Sequence, residues 1–257
     1  MQLLRGINMQ LKDKVVIVTG AATHIGQAYA VRLAQEGAKV VACDILDCGT
    51  TAEMVMETGG EVLPLITDVT KEEDTIEMAR KTVERFGRID CIVNNAGIFD
   101  GLTARPMMDV DMAEWDKVYE VNVKGMFLCC RAVFPYMKAQ GGGKIINVGS
   151  GIWLQGSPGI PHYVSSKAAV MGLTRTLAKE LGQFNINVNT LAPGGTDSGA
   201  KIGRGDDAPV APSRAGRSIP RIETPEDLTG TMVFLASEDS NFITGQMITI
   251  NGGDALH

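Results

Sequence analysis

Tyr163 and Lys167 stand four residues apart in the stretch PHYVSSK, and Ala168 to Leu173 after them read as helix. At 3.6 residues per turn such a pair shares one helical face. A free phenol titrates near ~10, too high for a base at neutral pH. An ammonium beside it favours the phenolate and is expected to lower that value. A tyrosine tuned in this way can exchange a proton with an alcohol or ketone oxygen. Alone, Tyr-x-x-x-Lys also describes a half-buried tyrosine next to a solvated lysine, so the rest of the chain must decide. Of the four tyrosines, only Tyr163 has a lysine four positions later.

The elements that would carry this pair alternate between β-branched runs and longer amphipathic ones. Strands are expected over Lys14–Thr19, Lys39–Asp44, Glu61–Thr67, Ile89–Asn94, Lys144–Val148, Ile186–Leu191 and Met247–Ile250. A helix after the first strand ends at Gly37, and a long one covers about Met112 to Ala139 before Gly141-Gly142-Gly143. Continuous apolar strands alternating with helices imply an α/β fold with a parallel sheet covered on both faces. Right-handed crossovers make it a Rossmann-type, doubly wound sheet of seven parallel strands. No repeat or linker divides the chain, so residues 11–257 are read as one domain behind an N-terminal extension of residues 1–10. Met9 offers a second start.

The composition excludes several classes. The 257 residues carry a net charge of −6, which gives no basic footprint for nucleic acid. No apolar run approaches ~18 residues, so no membrane span is expected. The first ten residues lack the apolar centre of a signal peptide. Cys43, Cys48, Cys91, Cys129 and Cys130 form no CxxC pair or ligand spacing, which fits buried free thiols in a reducing cytoplasm and no metal site.

The first strand runs into TGAATHIG, residues 19–26, where a helix begins. Small residues let the backbone approach a pyrophosphate, and the helix N-terminus favours its charge. Asp44 ends the second strand, about 20 residues on, where a carboxylate can accept from ribose hydroxyls. The alternative for Asp44 is a turn or helix-cap aspartate. No Arg or Lys stands at Thr23, Ile45 or Leu46 to meet a 2′-phosphate, so NAD is expected over NADP.

From Leu11 to its end the chain resembles the short-chain dehydrogenase/reductase family. The family's TGxxxGxG motif is matched at Thr19, Gly20 and Gly26, with Thr23 and Ile25 at its open positions and His24 where the middle glycine is expected. That places a Cβ and an imidazole beside the phosphates, either turned outward or donating to a phosphate or to the adenosine ribose. The resemblance further implies that Asp68 and Val69 contact adenine and that Ile45 lies beside the adenosine. Asn94-Asn95-Ala96-Gly97 is similar to the family's NNAG turn. Pro193 and Gly194 resemble the turn over the nicotinamide, with Thr196 at its carboxamide and Ser198 where a threonine is usual. Ser150 falls thirteen residues before Tyr163 and Asn122 sits in VNVKG, so Asn122, Ser150, Tyr163 and Lys167 match the family's catalytic tetrad. The roles implied are Tyr163 as acid/base, Lys167 on the phenol and the nicotinamide ribose, Ser150 on the substrate oxygen, and Asn122 interrupting its helix to order a water.

Ser150, Ile152, Trp153 and Tyr163 are expected to line the substrate site, with Leu154, Ile98 and Phe99 adding apolar wall. This suits a secondary alcohol or ketone with an aromatic or alicyclic body. Trp153 or Phe99 could equally pack the core. The stretch Ile219–Gly253 resembles phenylethanol-type secondary alcohol dehydrogenases. Residues 194–220 read as a lid. Arg204, Arg214, Arg217 and Arg221 lie in or just past it, and one turned inward would favour an acidic or polyhydroxy substrate. His162 is expected at packing or surface. The resemblance also implies a homotetramer, with the apolar helix around Val123 to Val133 compatible with a subunit contact or with the sheet. Three activities compete: alcohol oxidation with NAD, ketone reduction, and a catalytically silent NAD-binding regulator.

Overall fold

The inner strands of the sheet are short apolar runs buried on both sides, and the two edge strands are partly exposed. In chain order the computed structural model, which describes residues 9–200, 203–204 and 216–256, opens with β1 (Val15–Thr19), α1 (His24–Gln35), β2 (Lys39–Asp44) and α2 (Gly49–Glu57). Next come β3 (Val62–Ile66), α3 (Glu72–Phe86), β4 (Cys91–Asn94) and the two-residue β5 (Thr103–Ala104). Then α4 (Met112–Tyr119) runs through a π-helical turn, Glu120–Gly125, into α5 (Met126–Gln140). The chain continues with β6 (Gly143–Val148), α6 (Ile152–Gln155), α7 (Pro161–Leu181) and β7 (Ile186–Pro193). The two-residue β8 (Gly203–Arg204), α8 (Pro225–Ala236) and β9 (Met247–Ile250) complete it. Residues 1–8 of the expected N-terminal extension, residues 201–202 and 205–215 of the 194–220 lid, and the Arg204 and Arg214 side chains lie outside the described residues.

Seven strands pair in parallel in the order β3-β2-β1-β4-β6-β7-β9, the doubly wound sheet expected from the pattern. Alternate residues of β1 serve opposite faces. Val16 and Val18 meet Tyr29, Ala30 and Leu33 of α1, in a cluster that includes Leu228 and Met232 of α8. Ile17 joins the cluster of Met78 (α3), Cys129 and Val133 (α5) and Leu177 (α7). Each such side chain contributes about 1.5–3 kcal/mol of burial. Cys129, Cys130 and Val133 therefore turn toward the sheet, which was one of two readings of that helix. All five cysteines are free and buried, and burial raises their thiols, Cys48 to about 11.

One detail escaped the pattern. β5 and β8 form a separate parallel ladder, Thr103 opposite Gly203, too short to leave any periodicity. The long helix expected over Met112–Ala139 is interrupted around Asn122, as the resemblance implied, and the interruption is a π turn.

A buried polar chain registers α7 on the sheet. Asn94 Nδ2 donates to Asn147 Oδ1 at 2.9 Å, and Asn147 Nδ2 donates to Thr174 Oγ1 at 2.9 Å. Thr190 Oγ1 donates to the same threonine oxygen at 2.8 Å. In a dry interior each of these groups is costly without its partner, so the helix docks in one register. Among the described residues no helix is long and apolar enough to cross a membrane.

Gly125 closes the π turn against the β3–α3 connection. A Cβ there would stand 2.8 Å from Val69 Cγ2 and 3.1 Å from Val69 O. Gly125→Ala should cost about 1–3 kcal/mol by overpacking, read as a lower thermal midpoint. An unchanged midpoint would show that Val69 yields freely.

Candidate active site

Strand order reverses between β1 and β4, so the connections leaving these strands diverge and open a cleft at their C-terminal ends. The crevice is stitched from below. Thr19 Oγ1 accepts from the N–H groups of Asn95 and Ala96, both at 3.1 Å. Asn95 Nδ2 donates to the carbonyls of Thr19 and Gly20 at 3.0 Å. These bonds tie the TGAATHIG loop to the NNAG turn. The cleft measures about 1260 Å³. Gly20, Thr23, His24, Ile25, Gly26, Asp44 and Ile45 line one end of it. Asp68, Val69, Asn95, Ala96 and Gly97 line its middle, with Ser150, Ile152, Tyr163, Lys167, Pro193, Gly194 and Thr196 beyond.

The first end suits a dinucleotide. α1 starts there with no side-chain cap, so its leading N–H groups face the cleft without an intrahelical partner. Gly26 is required by packing, since a Cβ would fall 2.0 Å from Gly20 O. Asp44 Oδ2 accepts from Ala22 N and Oδ1 from Leu46 N, each at 3.0 Å. The carboxylate thus also serves as the turn aspartate considered above, with lone pairs remaining for a ligand. Asp68 is held below the usual carboxylate range, chiefly by Thr70, whose hydroxyl donates at 2.7 Å. His24 adopts φ +55°, the left-handed backbone that a glycine would take without strain. Its Nδ1 lies 2.8 Å from Thr23 Oγ1, and its ring edge lies beside Gly199 at the cleft.

The other end holds the titratable pair. Pro161 starts α7 and fixes its entry, so Tyr163 and Lys167 project together from the first turns. Lys167 Nζ lies 5.8 Å from the centre of the Tyr163 ring and donates to Val148 O at 3.0 Å. Phe99 leans on Tyr163 with ring centres 5.1 Å apart. Ser150 closes the group, its hydroxyl in hydrogen-bond reach of the phenol. Asn122 is fully buried and does not line the cleft. The π turn points it beneath the pair, where Oδ1 accepts from Ile98 N at 2.7 Å and Nδ2 donates to Ser166 Oγ at 3.1 Å.

The shift of the phenol has the opposite sign to that expected. Burial pushes Tyr163 up, and the Ser150 hydrogen bond offsets only part of this. Burial also pushes Lys167 down, from 10.5 to about 8. Sequence spacing made the ammonium the dominant influence, but desolvation of both groups outweighs it in this dry corner.

A short chain dehydrogenase family model matches residues 14–208, which contain both ends of this cleft. The chain is a short-chain dehydrogenase/reductase. It is 41% identical to a 3-oxoacyl-[acyl-carrier-protein] reductase FabG of Thermotoga maritima, over 95% of this chain and 99% of the relative. It is 37% identical to the 2-dehydro-3-deoxy-D-gluconate 5-dehydrogenase of Escherichia coli, over 95% and 96%. Among solved structures, carveol dehydrogenase from Mycobacterium avium in complex with NAD superposes with a TM-score of 0.88 at 28% identity, over 95% of this chain and 98% of that one. The protein is therefore an oxidoreductase of a family that uses a nicotinamide cofactor.

Within this short-chain dehydrogenase/reductase, Trp153 is the one expected site residue that neither lines the cleft nor lies beneath it. α6 is a single turn, and facing Ile152 into the cleft swings the next residue about 100° away. Leu154 is likewise off the lining, whereas Ile98 and Phe99 are on it. His162 is fully buried, Nε2 3.1 Å from Glu114 Oε1 but out of line for a hydrogen bond. Of the lid arginines, Arg221 is exposed and pairs with Asp227. Arg217 turns inward, as was considered for one of them, and with Asn251 and Asp254 joins the lining at the far end. Glu223, beneath the Pro193–Thr196 turn, was missed altogether, because a lone glutamate in a loop carries no spacing signal.

The lowered Lys167 has a consequence for stability. Unfolded, the amine keeps its proton up to 10.5; folded, it releases it near 8. The unfolded state binds more protons in that window, so stability rises with pH across it, and the burial penalty is full below about 8. Lys167→Met should lose turnover yet match or exceed the wild type in denaturant midpoint near neutrality, with the margin shrinking as pH rises through the window. A variant that is less stable at every pH would show that the ammonium is well compensated.

Proposed function

We propose that the protein is an NAD-dependent dehydrogenase that interconverts a secondary alcohol and its ketone. The single observation behind this reading is the convergence of Ser150, Tyr163 and Lys167 on one wall of the cleft, with Asp44 at its other end. The uncapped N-terminus of α1 would hold the pyrophosphate, and Asp44 the adenosine ribose. Asp68 and Val69 would flank adenine. Pro193, Gly194 and Thr196 would hold the carboxamide end. When bound, the nicotinamide supplies the acceptor or donor for the hydride. Tyr163 takes the proton from the substrate hydroxyl as the ketone forms, and returns it in the reverse direction. Ser150 donates to the substrate oxygen and stabilises charge that develops there. Lys167, with one donor spent on Val148 O, has others for ribose hydroxyls. Asn122, wired to the Ile98 backbone and Ser166, carries the relay beneath it.

Ile98, Phe99, Leu102, Ile152 and Ile160 give the catalytic end an apolar lining, which suits an aromatic or alicyclic body. Operation as a reductase is the second reading, favoured by the FabG relative and by levodione reductase, which superposes with a TM-score of 0.84 at 31% identity. NAD is preferred here because Asp44 repels a 2′-phosphate and neither Ile45 nor Leu46 answers it. The same reading makes the protein a cytoplasmic homotetramer, with the exposed Phe127 on α5 available to a neighbouring copy.

NADH formation with a panel of secondary alcohols tests the assignment. Because Tyr163 is raised, the phenolate fraction grows with alkalinity, so oxidation should accelerate as pH rises above neutrality. Tyr163→Phe should lose about 10²–10⁴-fold in kcat and flatten that profile while still binding NAD. Full activity in this variant would end the proposal.

Asp44→Ala should raise the kcat/KM ratio of NADP to NAD by about tenfold, the equivalent of ~1.4 kcal/mol of removed repulsion. An unmoved ratio would detach Asp44 from the ribose.

A further inference from the structure

The turn Pro193–Thr196 is gripped from behind by two buried side chains of opposite charge, and neither takes part in the chemistry described above. Glu223 is 5% exposed and Arg217 is 8% exposed. Glu223 Oε1 accepts from Gly194 N at 3.2 Å and from Thr196 Oγ1 at 2.6 Å. Its backbone carbonyl accepts from Asp197 N at 2.8 Å, and residues 196 and 223 form a parallel bridge. On the carbonyl side of the same turn, Arg217 Nη2 donates to Gly195 O at 2.6 Å, and Nη1 donates to Arg221 O at 3.3 Å. Glu223 Oε2 and Arg217 Nε are buried with no hydrogen-bond partner among the described residues. These are charges held in the interior with part of their bonding capacity unmet, a costly arrangement. Burial raises the Glu223 carboxyl, while Thr196, Arg217 and Gly194 oppose that rise and Asp227 adds to it. Tyr29, also buried, feels the same carboxylate and is raised further by it.

Two consequences follow for whatever rests on the turn. A threonine hydroxyl has a single proton, and a carboxylate can only accept. At 2.6 Å that proton belongs to Glu223, so Thr196 offers only lone pairs to the cleft that it lines. Thr196 can therefore meet an amide N–H but not an amide carbonyl. The carboxylate also sits directly behind the turn, in surroundings that screen charge poorly. A cationic ring in front of it is favoured over a neutral one. The oxidised nicotinamide ring is cationic and the reduced ring is neutral.

We propose that Glu223 is a positioning residue that sets both the orientation and the preferred redox state of the bound nicotinamide. It fixes Thr196 as an acceptor for the carboxamide NH₂, and its charge makes the cleft favour the oxidised cofactor over the reduced one. Arg217 holds the turn from the other side and acts in the opposite sense. This rests on the placement of the nicotinamide against the Pro193–Thr196 turn under the proposed function.

The test compares dissociation constants for NAD and NADH, measured by titration calorimetry on the full chain without substrate. Glu223→Gln keeps an acceptor for Gly194 and Thr196 and removes only the charge, so its thermal midpoint should stay near that of the wild type. Its affinity for NAD should fall about tenfold while NADH changes by less than about threefold, from loss of one nearby charge. Arg217→Gln should move the NAD-to-NADH preference the other way. A purely structural role would weaken both cofactors equally, and an unmoved ratio in both variants overturns the proposal. If the wild type binds neither cofactor, the nicotinamide reading has failed and this inference falls with it, an outcome distinct from an unmoved ratio.

Discussion

Burying a phenol and an amine side by side is the constraint around which this molecule is arranged. Neither group is at ease there. Tyr163 is driven away from its anion and Lys167 away from its cation, because both have left water. Among the described residues the amine donates to a single acceptor, the strand-end carbonyl Val148 O. A bound positive ring and ribose hydroxyls would supply what is missing, lowering the phenol toward a usable base. In the proposed enzyme, stability given up in burying the pair becomes differential interaction once cofactor and substrate arrive.

The sheet holds that unfavourable pair in place with a second set of buried polar groups whose donors are paired, although Asn94 Oδ1 has no partner among the described residues. Asn94, Asn147, Thr190 and Thr174 form a continuous chain across three adjacent strands and onto α7. Thr19 and Asn95 do the same where the strand order reverses. Linked buried donors of this kind specify a single register, since any slip strands one of them in the interior. The π turn at Asn122 follows the same logic. By breaking the α-helical ladder it frees a side chain to bond the Ile98 backbone and Ser166, under the lysine. Apolar packing on the two faces of the sheet supplies the bulk of the stabilisation, but it would tolerate shifts that these bonds do not.

Where the chain could be read in advance, local rules governed it. Runs such as KVVIVT and KVVACD are buried on both sides whichever way they pack, and they became strands within a residue or two of expectation. The loop from Thr19 to Gly26 was legible because a strand-to-helix turn beside a phosphate tolerates few side chains. The exception, His24, was flagged as a departure and adopts the glycine-like backbone. Reading failed where an outcome depended on direction or on distant partners. Trp153 follows Ile152 by one residue on a single-turn helix, and only the docking angle of that turn decides which of the two faces the cleft. The sign of the Tyr163 shift was missed for a similar reason, as spacing reports which charge is near and says nothing of how much water has gone.

The sequence by itself determined the α/β class, the order of the strands and helices, and the residues that could do chemistry, because these follow from periodicity and from side-chain type within a few positions. It also determined the family, through motifs whose spacing is local. Only the tertiary structure decided how deeply the reactive pair is buried and which lid arginine turned inward. It alone placed a glutamate from a later loop behind the turn at Thr196. Those outcomes depend on contacts between segments tens of residues apart and on the exclusion of solvent, which is a property of the packed whole and of no stretch within it.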